Sequence, residues 1–69
     1  MFTVYGTKGC NECVNVCQYL RRAGIEFEYI DVMLAEDLKV VVRSVPTIYQ
    51  DDHLVGSFTE LREFLKNWK

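Results

Sequence analysis

Apolar and polar residues alternate along Phe2-Thr3-Val4-Tyr5, placing Phe2 and Val4 on one side and Thr3 and Tyr5 on the other before Gly6 interrupts the pattern. A period of two belongs to a strand, so the chain is expected to open on a short strand that Gly6 ends. From Cys10 to about Ala23 the period lengthens: Cys13, Val16, Cys17, Leu20 and Ala23 form one weakly apolar stripe at helical spacing, and Gly24 stands where a helix would stop. Residues 26–32 return to alternation, with Phe27, Tyr29 and Asp31 on one face and Glu28, Ile30 and Val32 on the other. Their aromatic and β-branched content predicts a second strand.

The stretch 34–43 fits two patterns. Leu34, Leu38, Val41 and Val42 have helical spacing, while the run Val40-Val41-Val42 suits a strand by propensity. A helix is the expectation, because Ala35-Glu36-Asp37 would suit the positive end of its dipole and Arg43 the negative end. Pro46 forbids continuation. Thr47-Ile48-Tyr49 and Leu54-Val55 then flank the turn-like Gln50-Asp51-Asp52-His53, which predicts an antiparallel hairpin closed by Gly56. Ser57-Phe58-Thr59-Glu60 matches a capping box and opens an amphipathic helix through Leu61, Phe64, Leu65 and Trp68.

The predicted order is thus βαβαββα. Strands joined through a helix pair parallel, and strands joined by a short turn pair antiparallel. An α/β architecture follows, a four-stranded mixed sheet with three helices. Residues 1–69 read as one domain, without repeat, linker or low-complexity segment. A chain this short buries only roughly 60% of the surface its unfolded form exposes, yet 49% hydrophobic and 26% charged residues are the composition of a folded domain.

Eight Lys and Arg against ten Asp and Glu give a net charge of −2. No basic run is present that could neutralise a phosphate backbone, so nucleic acid is not an expected partner. The N-terminus lacks the layout of a secretory signal and no apolar run reaches 18 residues, so a cytoplasmic, membrane-free protein is expected. A monomer is the accompanying expectation, although the sequence carries no direct sign of oligomeric state. Three cysteines within eight residues cannot form the long-range staples of a small secreted domain. They read as chemistry.

Cys10-Asn11-Glu12-Cys13 places a C-x-x-C pair after a predicted strand and at the opening of a helix. Unpaired backbone N–H groups and the positive dipole end stabilise a thiolate at such a helix start. Cys10 is therefore the candidate nucleophile, and Cys13, one turn further in, the candidate resolving thiol that attacks the mixed disulfide on Cys10. Two other readings use the same thiols. Cys10, Cys13, Cys17 and His53 could be written as a zinc set, and Cys10 could ligate an iron–sulfur cluster as a metal carrier. The redox reading is preferred, with no bound metal or cofactor, because structural zinc sites bring their second ligand pair at close spacing and only one histidine is available. Cys17 lies on the apolar stripe, where a small buried residue would serve. A disulfide to Cys13 under oxidation is the sharper alternative, although the i, i+4 geometry is poor for it. His53 reads as a solvated turn residue, Asp51-Asp52 as turn chemistry, and Phe64 and Trp68 as core.

Together, Val4-Tyr5, Cys10-x-x-Cys13, Ser44-Val45-Pro46-Thr47 and Gly56-Ser57-Phe58-Thr59-Glu60-Leu61 fall in the order found in glutaredoxins, and the chain resembles that family along essentially its whole length, small bacteriophage glutaredoxins above all. The resemblance implies a thioredoxin-like fold and a cis proline at Pro46 beside the dithiol. It also implies reduction of protein or glutathione mixed disulfides with glutathione as co-substrate, and electron transfer to ribonucleotide reductase or another disulfide protein. By position, Val45 would offer its backbone to glutathione as a strand edge does, with Pro46 fixing that edge. Phe58 and Thr59 would meet the γ-glutamyl end at the start of the last helix, and Lys8 and Arg43 the glycine carboxylate. The chain also departs from the family. Asn11-Glu12 replaces Pro-Tyr between the cysteines, Thr7 a basic residue, Gly56-Ser57 a Gly-Gly pair and Thr59 an acidic residue. These changes bring it toward glutaredoxin-like donors that thioredoxin reductase recharges, the alternative electron source.

Overall fold

The computed structural model describes residues 1–35, 38, 40 and 42–67. Its elements are β1 (Phe2–Gly6), α1 (Asn11–Arg22), β2 (Phe27–Asp31), β3 (Thr47–Gln50), β4 (His53–Gly56) and α2 (Phe58–Lys66). The sheet order is β2-β1-β3-β4. β1 pairs parallel with β2, Val4 opposite Tyr29, and antiparallel with β3, Val4 opposite Ile48. The hairpin joining β3 to β4 turns on Asp51-Asp52, and Asp51 adopts a left-handed φ of 55°, which Asp tolerates better than most residues.

Both helices contribute to one core. Phe2 and Val4 of β1 and Ile48 of β3 meet Val16 and Leu20 of α1 and Leu61 of α2, all 2% exposed or less. The period-two and helical stripes of the sequence are the sides that meet. Around this centre Tyr19 stacks edge-on against Phe58 at 5.6 Å, and Phe64 meets Phe2 edge-on at 6.0 Å. On the opposite side of β1, Tyr5 packs edge-on against Tyr49 at 5.7 Å. α1 ends at Ala23, and Gly24 with φ 72° turns the chain back toward β2. α2 opens on the expected capping box: Glu60 accepts from the Ser57 backbone N–H and hydroxyl, each at 2.8 Å. Trp68 lies outside the described residues.

The expected helix over 34–43 is the correction. Among the described residues there are two helices, not three, and the order is βαβββα. Leu34, Ala35, Leu38, Val40, Val42 and Arg43 are not helical; Glu36, Asp37, Lys39 and Val41 lie outside the described residues. Asp31 supplies part of the reason. Its carboxylate accepts from the Met33 backbone at 2.9 Å and its carbonyl from Leu34 and Ala35 at 3.1 and 3.0 Å, closing a turn directly after β2. That turn leaves Leu34 79% exposed, so the apolar stripe loses its first member. A short helix lives by burying such a stripe, and the valine run that follows is stiff at χ1 and weak in helix propensity.

Candidate active site

The loop between β1 and α1 delivers Cys10 as the N-cap of α1. Its backbone is extended, φ −90° and ψ 110°, and its Sγ accepts the backbone N–H of Cys13 at 3.1 Å. A sulfur thus takes the place that a Ser or Asp oxygen usually fills at this position, where unpaired N–H groups and the helix dipole favour negative charge. Cys10 is half-exposed, whereas Cys13, one turn further in, is 1% exposed. All three cysteines are free thiols.

The Cys13 thiol is pushed up to about 11, by burial first and by the neighbouring Cys10 next, while the Thr7 backbone and the Tyr29 hydroxyl pull the other way. Cys13 is therefore a thiol at neutral pH. The fold favours that protonated form over the unfolded chain, whose thiol ionises near its ordinary value of 9.0. The unfolded state loses this proton first, so its contribution to stability is complete below about 9 and is lost as pH rises toward about 11. Urea denaturation across that range should show a steeper loss of stability in the native chain than in Cys13→Ala; parallel curves would contradict it.

Room for the Cys13 sulfur comes from Gly6. A Cβ on Gly6 would stand 2.7 Å from Cys13 Sγ and 2.6 Å from the Tyr29 hydroxyl oxygen. The glycine that alternation marks as a strand stop is instead the last residue of β1, and its missing side chain is what lets sulfur and phenol converge. Gly6→Ala should cost about 1–3 kcal/mol, the usual range for overpacking a well-filled site. An unchanged urea midpoint would contradict this.

Tyr29 is the residue that sequence reasoning missed. Parallel pairing of β2 with β1 carries it to the loop after Gly6, where its hydroxyl donates to the Thr7 carbonyl at 3.2 Å. Burial, and next the charge of an ionised Cys13, push the phenol up, so it keeps its proton. Alternation places Tyr29 on the face of Phe27 but carries no sign of the cysteines.

The remaining expected residues separate. The Val45–Pro46 peptide is cis, and Pro46 is buried and Val45 half-buried. Arg43 and Pro46 line a groove of about 470 Å³ together with Gly56, Ser57 and Glu60. Lys8, Val45, Phe58 and Thr59 are not among its walls. The Phe58 ring is engaged by Tyr19 and by Arg62, whose guanidinium carbon lies 5.8 Å from the ring centre. Thr59, Lys8 and Glu12 are exposed, Glu12 in the first turn of α1. Cys17 is half-buried on α1, its thiol pushed up by burial and drawn down by Arg21. His53 is exposed, in β4 rather than in the turn. Among the described residues, no three His, Cys, Asp or Glu side chains come together as a metal set, and no helix is long and apolar enough to cross a membrane.

The arrangement presents one accessible sulfur at a helix N-terminus with a second, sheltered sulfur beside it, which is what thiol–disulfide exchange requires. Comparison with known proteins agrees. The buckwheat glutaredoxin–glutathione complex superposes with a TM-score of 0.79 at 16% identity, covering 96% of this chain and 68% of that one. Glutaredoxin 1 from Francisella tularensis complexed with cacodylate gives 0.71 at 26% identity, covering 94% and 91%. The thioredoxin-like protein BC3987 gives 0.72 at 25% identity, covering 94% and 100%. None of the curated proteins matches the sequence. The glutaredoxin family model matches residues 2–55. By that match the chain belongs to the glutaredoxin family and is a thiol–disulfide oxidoreductase.

Proposed function

We propose that the protein reduces protein and glutathione mixed disulfides by a dithiol route, with Cys10 as nucleophile and Cys13 as resolving thiol. The observation that carries this is the division of the two cysteines: Cys10 is half-exposed and its Sγ takes the Cys13 N–H at 3.1 Å, whereas Cys13 is enclosed. A thiolate at Cys10 attacks the substrate disulfide and one thiol leaves. The mixed disulfide removes the charge and hydrogen bond by which Cys10 held up Cys13, so the second thiol ionises more readily once it is needed. Cys13 then attacks Cys10, and the reduced substrate departs. No bound cofactor takes part in either step.

Glutathione is the proposed reductant, as it is for glutaredoxins. Arg43 and Pro46 in one groove offer a cation and a fixed strand edge to an anionic tripeptide. A cytoplasmic disulfide protein, ribonucleotide reductase foremost, is the proposed target, on family resemblance. One observation favours thioredoxin reductase as the electron source instead: Glu60 occupies the Ser57 N–H and places a carboxylate in the same groove, where it opposes a second anion.

Turnover of a glutathione mixed disulfide with NADPH separates these readings. Glutathione with glutathione reductase should sustain it. Activity with thioredoxin reductase alone would transfer the protein to the second reading, and silence with both would overturn the proposal.

A further inference from the structure

Under the dithiol reading, on which this inference rests, Cys13 must become a thiolate inside an apolar enclosure before it can attack. Burying a charge is costly unless a donor meets it, and few donors are available there. The groups facing the Cys13 sulfur are Thr7 from the loop after β1, Cys10 at the start of α1 and Tyr29 from β2. Thr7 meets the sulfur through its backbone, and Cys10 has no hydrogen to donate once it is in the mixed disulfide, so the Tyr29 hydroxyl is the side-chain donor among these groups. We propose that Tyr29 is a positioning residue for the release step, its hydroxyl swinging from the Thr7 carbonyl to donate to Cys13 Sγ as the thiolate forms.

Two geometric observations support this. Tyr29 Oη and Cys13 Sγ lie 2.6 and 2.7 Å from the same point above Gly6, so they share the one space that a side chain at residue 6 would fill. The bond that Tyr29 makes in the dithiol state is also a long one. Its 3.2 Å to the Thr7 carbonyl exceeds the usual O–H···O separation of about 2.7–2.8 Å, so little is lost when the hydrogen is redirected to an anion. A charge-assisted bond is roughly twice as strong as a neutral one. The other titratable groups around the phenol are Cys17 on α1 and Asp31 on its own strand, both acidic, and Arg21 stands beside Cys17. Burial first, and the acidic neighbours next, keep the phenol protonated, and therefore a donor.

The step balances without a further reagent. Cys13 gives its proton to water, and its thiolate attacks Cys10 Sγ in the mixed disulfide Cys10–S–S–R. The S–S bond to R breaks with its electron pair on the leaving sulfur, and the Cys10–Cys13 bond forms. RS⁻ is reduced and Cys13 oxidised, while Tyr29 keeps its own proton throughout.

The test uses 5,5′-dithiobis(2-nitrobenzoate) on the reduced chain carrying Cys17→Ala, with and without Tyr29→Phe. Attack by Cys10 releases the first thionitrobenzoate, and attack by Cys13 on the resulting mixed disulfide releases the second, so one stopped-flow trace times both steps. Tyr29→Phe should leave the first release unchanged and slow the second about fivefold at neutral pH, the worth of one net hydrogen bond. Its pH profile should shift upward, so that the two proteins converge once Cys13 is fully ionised. Equal slowing of both releases, or coincident pH profiles for the second, would overturn the proposal and leave Tyr29 a packing residue. Failure of the parent chain to make any second release would instead overturn the dithiol reading, and this proposal with it.

Discussion

Cys10→Ser is expected to bring disulfide reduction down to the uncatalysed rate, because no other sulfur in the fold combines access with a helix N-terminus. Cys13 is 1% exposed and its thiol is pushed up to about 11, so it has neither the approach nor the thiolate fraction to replace Cys10 at neutral pH. Cys17 is half-buried and also pushed up by burial. Serine keeps an oxygen that can accept the Cys13 N–H, so the cap survives and the loss is chemical rather than structural. Steady-state turnover of a disulfide substrate, with circular dichroism as the control for folding, checks this. Residual turnover above a few per cent would show that another thiol can initiate the reaction.

Leu20→Ala should leave a large fraction of the chain unfolded. Leu20 is completely buried where α1 meets β1 and α2, in a cluster of six enclosed side chains among the described residues. Truncating a buried leucine costs about 2–5 kcal/mol, from lost transfer energy and the cavity that remains. A core of this size supplies only about 3–5 kcal/mol of net stability. The two quantities are comparable, so the variant should show an early, shallow thermal transition where the native chain shows a cooperative one. A melting temperature within a few degrees of the native value would mean that the core tolerates the void, against the packing described. The active site should fail together with the fold, because Cys13 and Val16 stand on the same buried face of α1 as Leu20.

What the sequence makes legible is chemistry fixed by neighbours along the chain. The helix opening at Cys10, the Ser57–Glu60 box and the hairpin around Asp51-Asp52 each depend on residues one to three positions apart, and all three are found, with Cys10 capping the helix and Gln50 and His53 drawn into the strands. The 34–43 stretch fails as a reading because the Asp31 turn and the valine run compete with the helical period there, and a short helix without a buried stripe has little else to hold it. Tyr29 and Gly6 are hidden for a different reason. Their roles arise from the parallel register that sets Val4 against Tyr29 and from the sulfur that approaches Gly6 from α1. A period of two places Tyr29 on a face, but it does not say that the end of its side chain reaches the loop before the cysteines. Arg43 and Pro46 are candidates by family resemblance, and they share a groove in the fold. Phe58 is a candidate on the same ground, and its ring packs against Tyr19 and Arg62.

Trapping separates the roles of the two cysteines. Cys13→Ser and Cys10→Ser are each incubated with oxidised glutathione, and the adducts are mapped by mass spectrometry after digestion. One stable glutathione adduct is expected on Cys10 of the Cys13→Ser chain and essentially none on Cys13 of the Cys10→Ser chain. Comparable adducts at the two positions, or an adduct on Cys17 in place of Cys10, would contradict it.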